Sequence, residues 1–182
     1  MKGGGKLKAR ELTFAALFTA LTAAAAFLRI PLGPVAVTPQ FLITAMAGVI
    51  LGAKWGAVSQ GLYVALGLMG LPLFTMGGGF GYILQPTFGF LLGLIAAAAV
   101  IGGITRGSTS PRRMLLASLA GLAVLYCIGL PYMALIYRGY LHQDIPLGKL
   151  LMMGCIPFLP FDAVKILLTA ALCPLLQKRL NH

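Results

Sequence analysis

Leu150-Leu-Met-Met-Gly-Cys-Ile-Pro157-Phe-Leu-Pro160-Phe-Asp162-Ala-Val-Lys165-Ile-Leu-Leu-Thr-Ala-Ala-Leu-Cys-Pro-Leu-Leu176 is a run of 27 residues carrying one acid and one base. A bilayer core of about 30 Å is crossed by roughly 20 helical residues, so this run reads as a membrane span. Asp162 and Lys165 stand three apart and share one helix face. Each would cost about 2.5–3.5 kcal/mol against lipid at the centre of a span, which turns that face away from lipid. The pair reads either as a structural ion pair that pins helices or as a polar ligand site. Pro157 and Pro160 predict a kinked or late-starting helix just above it, with the carbonyls of Met153 and Ile156 freed to accept hydrogen bonds.

The rest of the chain has the same character. Of 182 residues, 59% are hydrophobic and 9% charged, and the mean hydropathy is +0.95; soluble domains carry about 25% charged residues. The pattern predicts an all-α integral membrane protein with spans at 9–29, 39–53, 56–71, 82–105, 112–137 and 149–177. These form one membrane domain over 1–182, with a basic tail at about 1–9 and a six-helix bundle at 10–178. The second and third spans are short, and Lys54 marks the turn between them. The first apolar stretch spans rather than serving as a cleaved leader, because it runs into Arg29-Ile-Pro31 instead of a small-residue cleavage site.

The net charge of +11 raises nucleic acid as a partner, but the bases alternate with apolar spans and report topology instead. With the N-terminus inside, ten bases fall on the inner side: Lys2, Lys6, Lys8, Arg10, Lys54, Arg106, Arg112, Arg113, Lys178 and Arg179. Three fall outside, Arg29, Arg138 and Lys149. Both termini are therefore expected in the cytoplasm. Asp162 precedes Lys178 by sixteen residues, or about 24 Å of helix, which puts the pair in the outer half of the bilayer. Tyr132, Tyr137 and Tyr140 suit either an interfacial belt or a ligand mouth.

The outer loops are uncharged over long stretches. The first, Ile30 to Gln40, holds three prolines; another, Gly70 to Thr87, holds Phe74, Tyr82 and Gln85 among glycines that permit close backbone approach. The inner loops contain no phosphate loop, and neither H-E-x-x-H nor G-x-S-x-G occurs. An enzyme is not expected, nor is a metal site: Cys127, Cys155 and Cys173 lie in apolar segments without C-x-x-C spacing and read as packing residues. On span one, Ala16, Ala20 and Ala24 make a small-residue ridge where another helix can approach, and Gly48, Gly52 and Gly56 repeat the spacing.

Taken in order, Val37-Thr-Pro-Gln40, Leu51-Gly-Ala-Lys-Trp-Gly56, Tyr63-Val-Ala-Leu-Gly67, Gly70-Leu-Pro-Leu-Phe74, Gln85-Pro-Thr-Phe-Gly89 and Pro160-Phe-Asp162-Ala-Val-Lys165 resemble the BioY family. These are biotin-specific substrate-binding (S) components of energy-coupling-factor (ECF) transporters. The resemblance covers about residues 10–178. It implies a bacterial plasma-membrane protein that binds biotin from outside, holds no cofactor, and works with a scaffold membrane subunit and two ATPases that bind the ATP. It implies that Asp162 and Lys165, with Gln40 and Tyr82, contact the vitamin, and that Ala16, Ala20 and Ala24 meet the scaffold; by their own chemistry Phe74 suits the vitamin's ring and Gln85 offers a loop amide. Two positions depart from the family pattern: Gln85 replaces a glycine, and 76–79 lacks an expected asparagine. The competing expectation is a stand-alone proton-coupled transporter of a small carboxylate or another vitamin, although 10–90 and 91–177 show no internal repeat.

Overall fold

A computed structural model describes residues 4–31 and 35–180. Lys2, the tip of the first loop at 32–34 and His182 lie outside the described residues, as do the side chains of Lys6 and Lys8. The chain is almost wholly helical: α1 Gly4–Phe27, α2 Gln40–Leu68, α3 Phe88–Thr105, α4 Pro111–Gly139, α5 Leu147–Gly154 and α6 Leu159–Leu180. The first outer loop forms a two-residue antiparallel ladder, β1 Ile30–Pro31 with β2 Ala36–Val37. Among the described residues, five helical stretches are long and apolar enough to cross a membrane, those at 9–27, 40–68, 88–105, 111–139 and 147–179. Their outer faces are lined by exposed side chains such as Leu116, Leu135, Leu167 and Leu175.

α2 is not one rod. As a straight helix it would hold Gln40 and Tyr63 about 35 Å apart at 1.5 Å per residue, yet Gln40 Nε2 donates to Tyr63 Oη at 2.8 Å. Thr44 likewise reaches Gln60 at 3.0 Å, and a Cβ placed on Gly56 would sit 3.0 Å from Gly48 Cα. All three pairs centre within half a residue of position 52. Gly52 has φ 76° and ψ 178°, a backbone that glycine adopts without strain. The element is therefore a helical hairpin with arms 40–51 and 53–68, turning two residues before Lys54. At about 18 and 24 Å the arms are shorter than the roughly 30 Å bilayer core, a mismatch that local thinning of a bilayer can accommodate. Its tip presses on α3, where a Cβ on Gly102 would lie 2.3 Å from Ala53 N. Breaking the helix there also frees carbonyls, and Gln177 Nε2 on α6 donates to that of Val49 at 3.0 Å.

Two other spans start differently from the sequence expectation. The fourth becomes a 3-10 turn, Phe80–Leu84, followed by α3. Gln85 sits between them with φ −80°, ψ 135°, because a residue preceding proline is pushed out of the helical region. The last span divides at Cys155 (φ −139°, ψ −65°) and restarts at Leu159 after a short turn. That late start is what Pro157 and Pro160 dictate, but the Ile156 carbonyl is taken by the Leu159 N–H rather than left free.

α3 packs between the hairpin and α4, α6 lies across α4 and the hairpin, and α1 lies along the hairpin. Bases gather at one end. The hairpin tip with Lys54, the α3 C-terminus with Arg106, Arg113 donating to the Ile104 carbonyl, and Lys178 beside Gln177 all meet there. Gln40 and Asp162 stand toward the opposite end.

Candidate functional site

At that opposite end a cavity of about 100 Å³ opens among the first loop, the hairpin, α3, α4 and the α5–α6 break. Gln40, Tyr82, Tyr126, Asp162 and Lys165 supply its polar wall, with Thr38, Thr75 and Thr87 among the lining residues from the loops. Phe41, Phe90, Leu94, Leu125 and Phe158 supply apolar wall.

Asp162 lies in the first turn of α6 and is 4% exposed. Lys165 Nζ donates to its Oδ1 at 2.7 Å, and Tyr126 Oη on α4 donates to its Oδ2 at 2.5 Å. The ion pair is internal to one helix, so it cannot pin two; the link between helices is Tyr126. An ionised carboxylate has about four acceptor positions and an ammonium three donors. The two observed bonds leave further capacity on both groups, next to a cavity.

Gln40 is held on both sides of its amide. Thr38 Oγ1 donates to its Oε1 at 3.0 Å, its Nε2 donates to Tyr63, and Tyr63 Oη donates in turn to the Leu73 carbonyl at 3.1 Å. Tyr82 lies 3.2 Å from Thr75 and 3.4 Å from Thr87 through its hydroxyl. Its ring packs on Phe74 with centroids 4.5 Å apart.

Four of the six side chains expected to bind, Gln40, Tyr82, Asp162 and Lys165, line this one cavity although they come from distant stretches of chain. Phe74 does not line it. Its ring is buried behind Tyr82, against Gly67, where a Cβ would come within 2.1 Å. Gln85 does not line it either; the observed role of that residue is main-chain, ending the 3-10 turn. Arg29 is exposed in its loop, and Arg138 pairs with Asp144 at 3.0 Å, also exposed. Tyr132 donates to the Ile83 carbonyl at 2.6 Å and fastens α4 to the loop. Cys173 is buried and Cys155 partly so, whereas Cys127 lies on an exposed face, so packing does not describe all three cysteines. Ala16, Ala20 and Ala24 are exposed, opposite the face of α1 that carries buried Ala15, Thr19, Thr22 and Ala26.

Tyr126 belongs to the site without any motif to mark it, although its place in the sequence carries a signal. It is a tyrosine in the middle of an apolar span, far from either interface where such rings usually lie. Tyr63 is a second case of the same kind.

A model of the BioY family matches residues 1–182. The chain belongs to the BioY family. Similar proteins include the "Biotin transporter BioY" of Thermotoga maritima, 35% identical over 170 residues, covering 93% of this chain and 96% of the relative. The "Biotin transporter BioY" of Rhodobacter capsulatus is 36% identical over 169 residues, covering 88% and 89%. The crystal structure of an S-component for biotin from an ECF-type ABC transporter superposes with a TM-score of 0.85 at 28% identity, over 98% of this chain and 95% of that one. These matches are transport proteins, not enzymes, and the all-helical BioY fold is a membrane fold.

Proposed function

We propose that this chain is a biotin-binding S component that captures the vitamin from outside the cell and delivers it through an ECF complex. The observation that carries this reading is the buried Asp162 carboxylate, bonded to the partly buried Lys165 and Tyr126 and facing a cavity. Biotin presents a cyclic urea with two N–H donors and one carbonyl, an apolar ring, and a carboxylate. The acceptor capacity left on Asp162 suits the ureido N–H groups, in charge-assisted bonds about twice as strong as neutral ones. The remaining protons of Lys165 serve the ligand's oxygen acceptors. Gln40 adds an amide, and Tyr82, Phe90 and Phe158 offer faces for the ring; Phe74 and Gln85 act from behind, one supporting Tyr82 and the other setting the loop.

The cavity is smaller than the roughly 300 Å³ at which small-molecule sites begin. Entry of a bicyclic ligand therefore requires the covering loops to move outward. In this reading the cavity faces outside and the basic end faces the cytoplasm with both termini. The two hairpin arms count as separate passages, giving six. Ala16, Ala20 and Ala24 form the docking ridge for a scaffold subunit, which brings two ATPases.

The test is calorimetric titration of the purified protein with biotin in detergent, alongside a panel of other vitamins. Saturable biotin binding is the expected result. A folded protein that leaves biotin unbound sinks the proposal.

A further inference from the structure

The ridge at Ala16, Ala20 and Ala24 can dock a partner only if α1 is held at one rotation. It packs chiefly along the hairpin, and apart from Phe18 its buried contact face is small residues. Inside a bilayer, apolar burial between helices provides no drive, so close packing and polar contacts must set the register.

One buried cluster does this. Gln60, on the second hairpin arm, is fully buried together with Thr22, Thr44 and Ser59. Its Oε1 accepts from Thr44 Oγ1 on the first arm at 3.0 Å. Its Nε2 donates to Ser59 Oγ and, across to α1, to Thr22 Oγ1, both at 3.2 Å. Each hydroxyl is then used a second time, Thr22 donating to the Phe18 carbonyl at 2.8 Å and Ser59 to that of Gly56 at 2.7 Å. Thr19 Oγ1 adds a bond to the Ser59 carbonyl at 2.8 Å. One amide thus joins three helical segments with both of its protons satisfied. At 100° per residue, Ala20 and Ala24 each stand about 200° around α1 from Thr22. Fixing Thr22 inward fixes the ridge outward.

We propose that Gln60 is the positioning residue that sets the rotation of α1 and so presents the partner-docking face, without touching the ligand. This rests on the reading of α1 as that face.

The test uses Thr22→Val, which removes the α1 side of the cluster and leaves Gln60 bonded to Thr44 and Ser59. Three quantities are measured: amide hydrogen exchange of α1, biotin affinity, and assembly with scaffold and ATPase subunits of an ECF module. Expected are faster exchange in α1, biotin affinity within twofold of wild type, and assembly weakened about three- to fifteenfold, the range of single interhelical hydrogen bonds in membranes. Thr22→Ser, which keeps the hydroxyl, restores both. Wild-type exchange and assembly in Thr22→Val overturn the proposal, as does a parallel loss of biotin affinity. Ala20→Trp separates the two readings: if it assembles normally, α1 is not the docking face, while exchange in Thr22→Val still judges Gln60.

Discussion

Neutralising Asp162 and Lys165 together separates a ligand site from a structural ion pair. Removing one member of a buried pair leaves an uncompensated charge, at a cost of about 3–5 kcal/mol, whereas replacing both is often neutral. Lys165→Met alone strands a carboxylate that is 4% exposed, so a large loss of thermal stability in detergent is expected. The double variant Asp162→Asn/Lys165→Met has no charge to strand. Its new side-chain amide keeps an oxygen that can accept from Tyr126, whose hydroxyl lies 2.5 Å from the native carboxylate. The melting temperature should return toward wild type. Binding should not return, because bonds to charged groups contribute about 1.5–3 kcal/mol each. Losing even one corresponds to a Kd raised about 10- to 150-fold. Calorimetry with biotin and a thermal melt on the same preparations measure both quantities. A double variant that binds within threefold of wild type would remove the pair from the ligand site and leave it a purely structural role.

Three further outcomes follow from the geometry. Tyr126→Phe removes the donor from α4 to Asp162 with almost no change in side-chain volume, and biotin affinity should fall about tenfold, by titration. Gly67→Ala places a methyl 2.1 Å from the Phe74 ring; the forced shift of Phe74 and Tyr82 should destabilise the fold by about 1–3 kcal/mol and weaken binding, read by thermal melt and titration. Ala16→Leu should leave biotin affinity unchanged while reducing recovery of the scaffold complex, measured by co-purification; reduced affinity instead would mean the ridge packs within the bundle.

Much of the architecture is legible in the amino-acid order because the bilayer imposes strict rules. Backbone groups in lipid must be bonded within their own segment, so long apolar runs have to be helices. Pro157 and Pro160 announce the late start of α6, and Pro86 explains why the fourth span is broken at Gln85. Lys54, taken as the boundary of the hairpin, marks the turn two residues late, because the true determinant is the positive φ of Gly52. Asp162 and Lys165 stand out because ionisable groups are rare in spans. Tyr126 does not, because a tyrosine costs far less there and is easily taken for packing.

By itself the sequence determined a helical membrane protein with an acid–base pair on one face of its last span and bases concentrated between spans. Those features follow from local chemistry, namely transfer costs, helix period and proline geometry. Tertiary structure alone decided which distant groups meet. It brought Tyr126 to Asp162, placed Gln40 beside the same cavity, set Phe74 behind Tyr82, and joined Thr22, Thr44 and Ser59 through Gln60. Such meetings depend on how glycine-faced helices, such as the hairpin arms at Gly48 and Gly56 and α3 at Gly102, close on one another. That is a matter of three-dimensional fit, which a one-dimensional pattern does not encode.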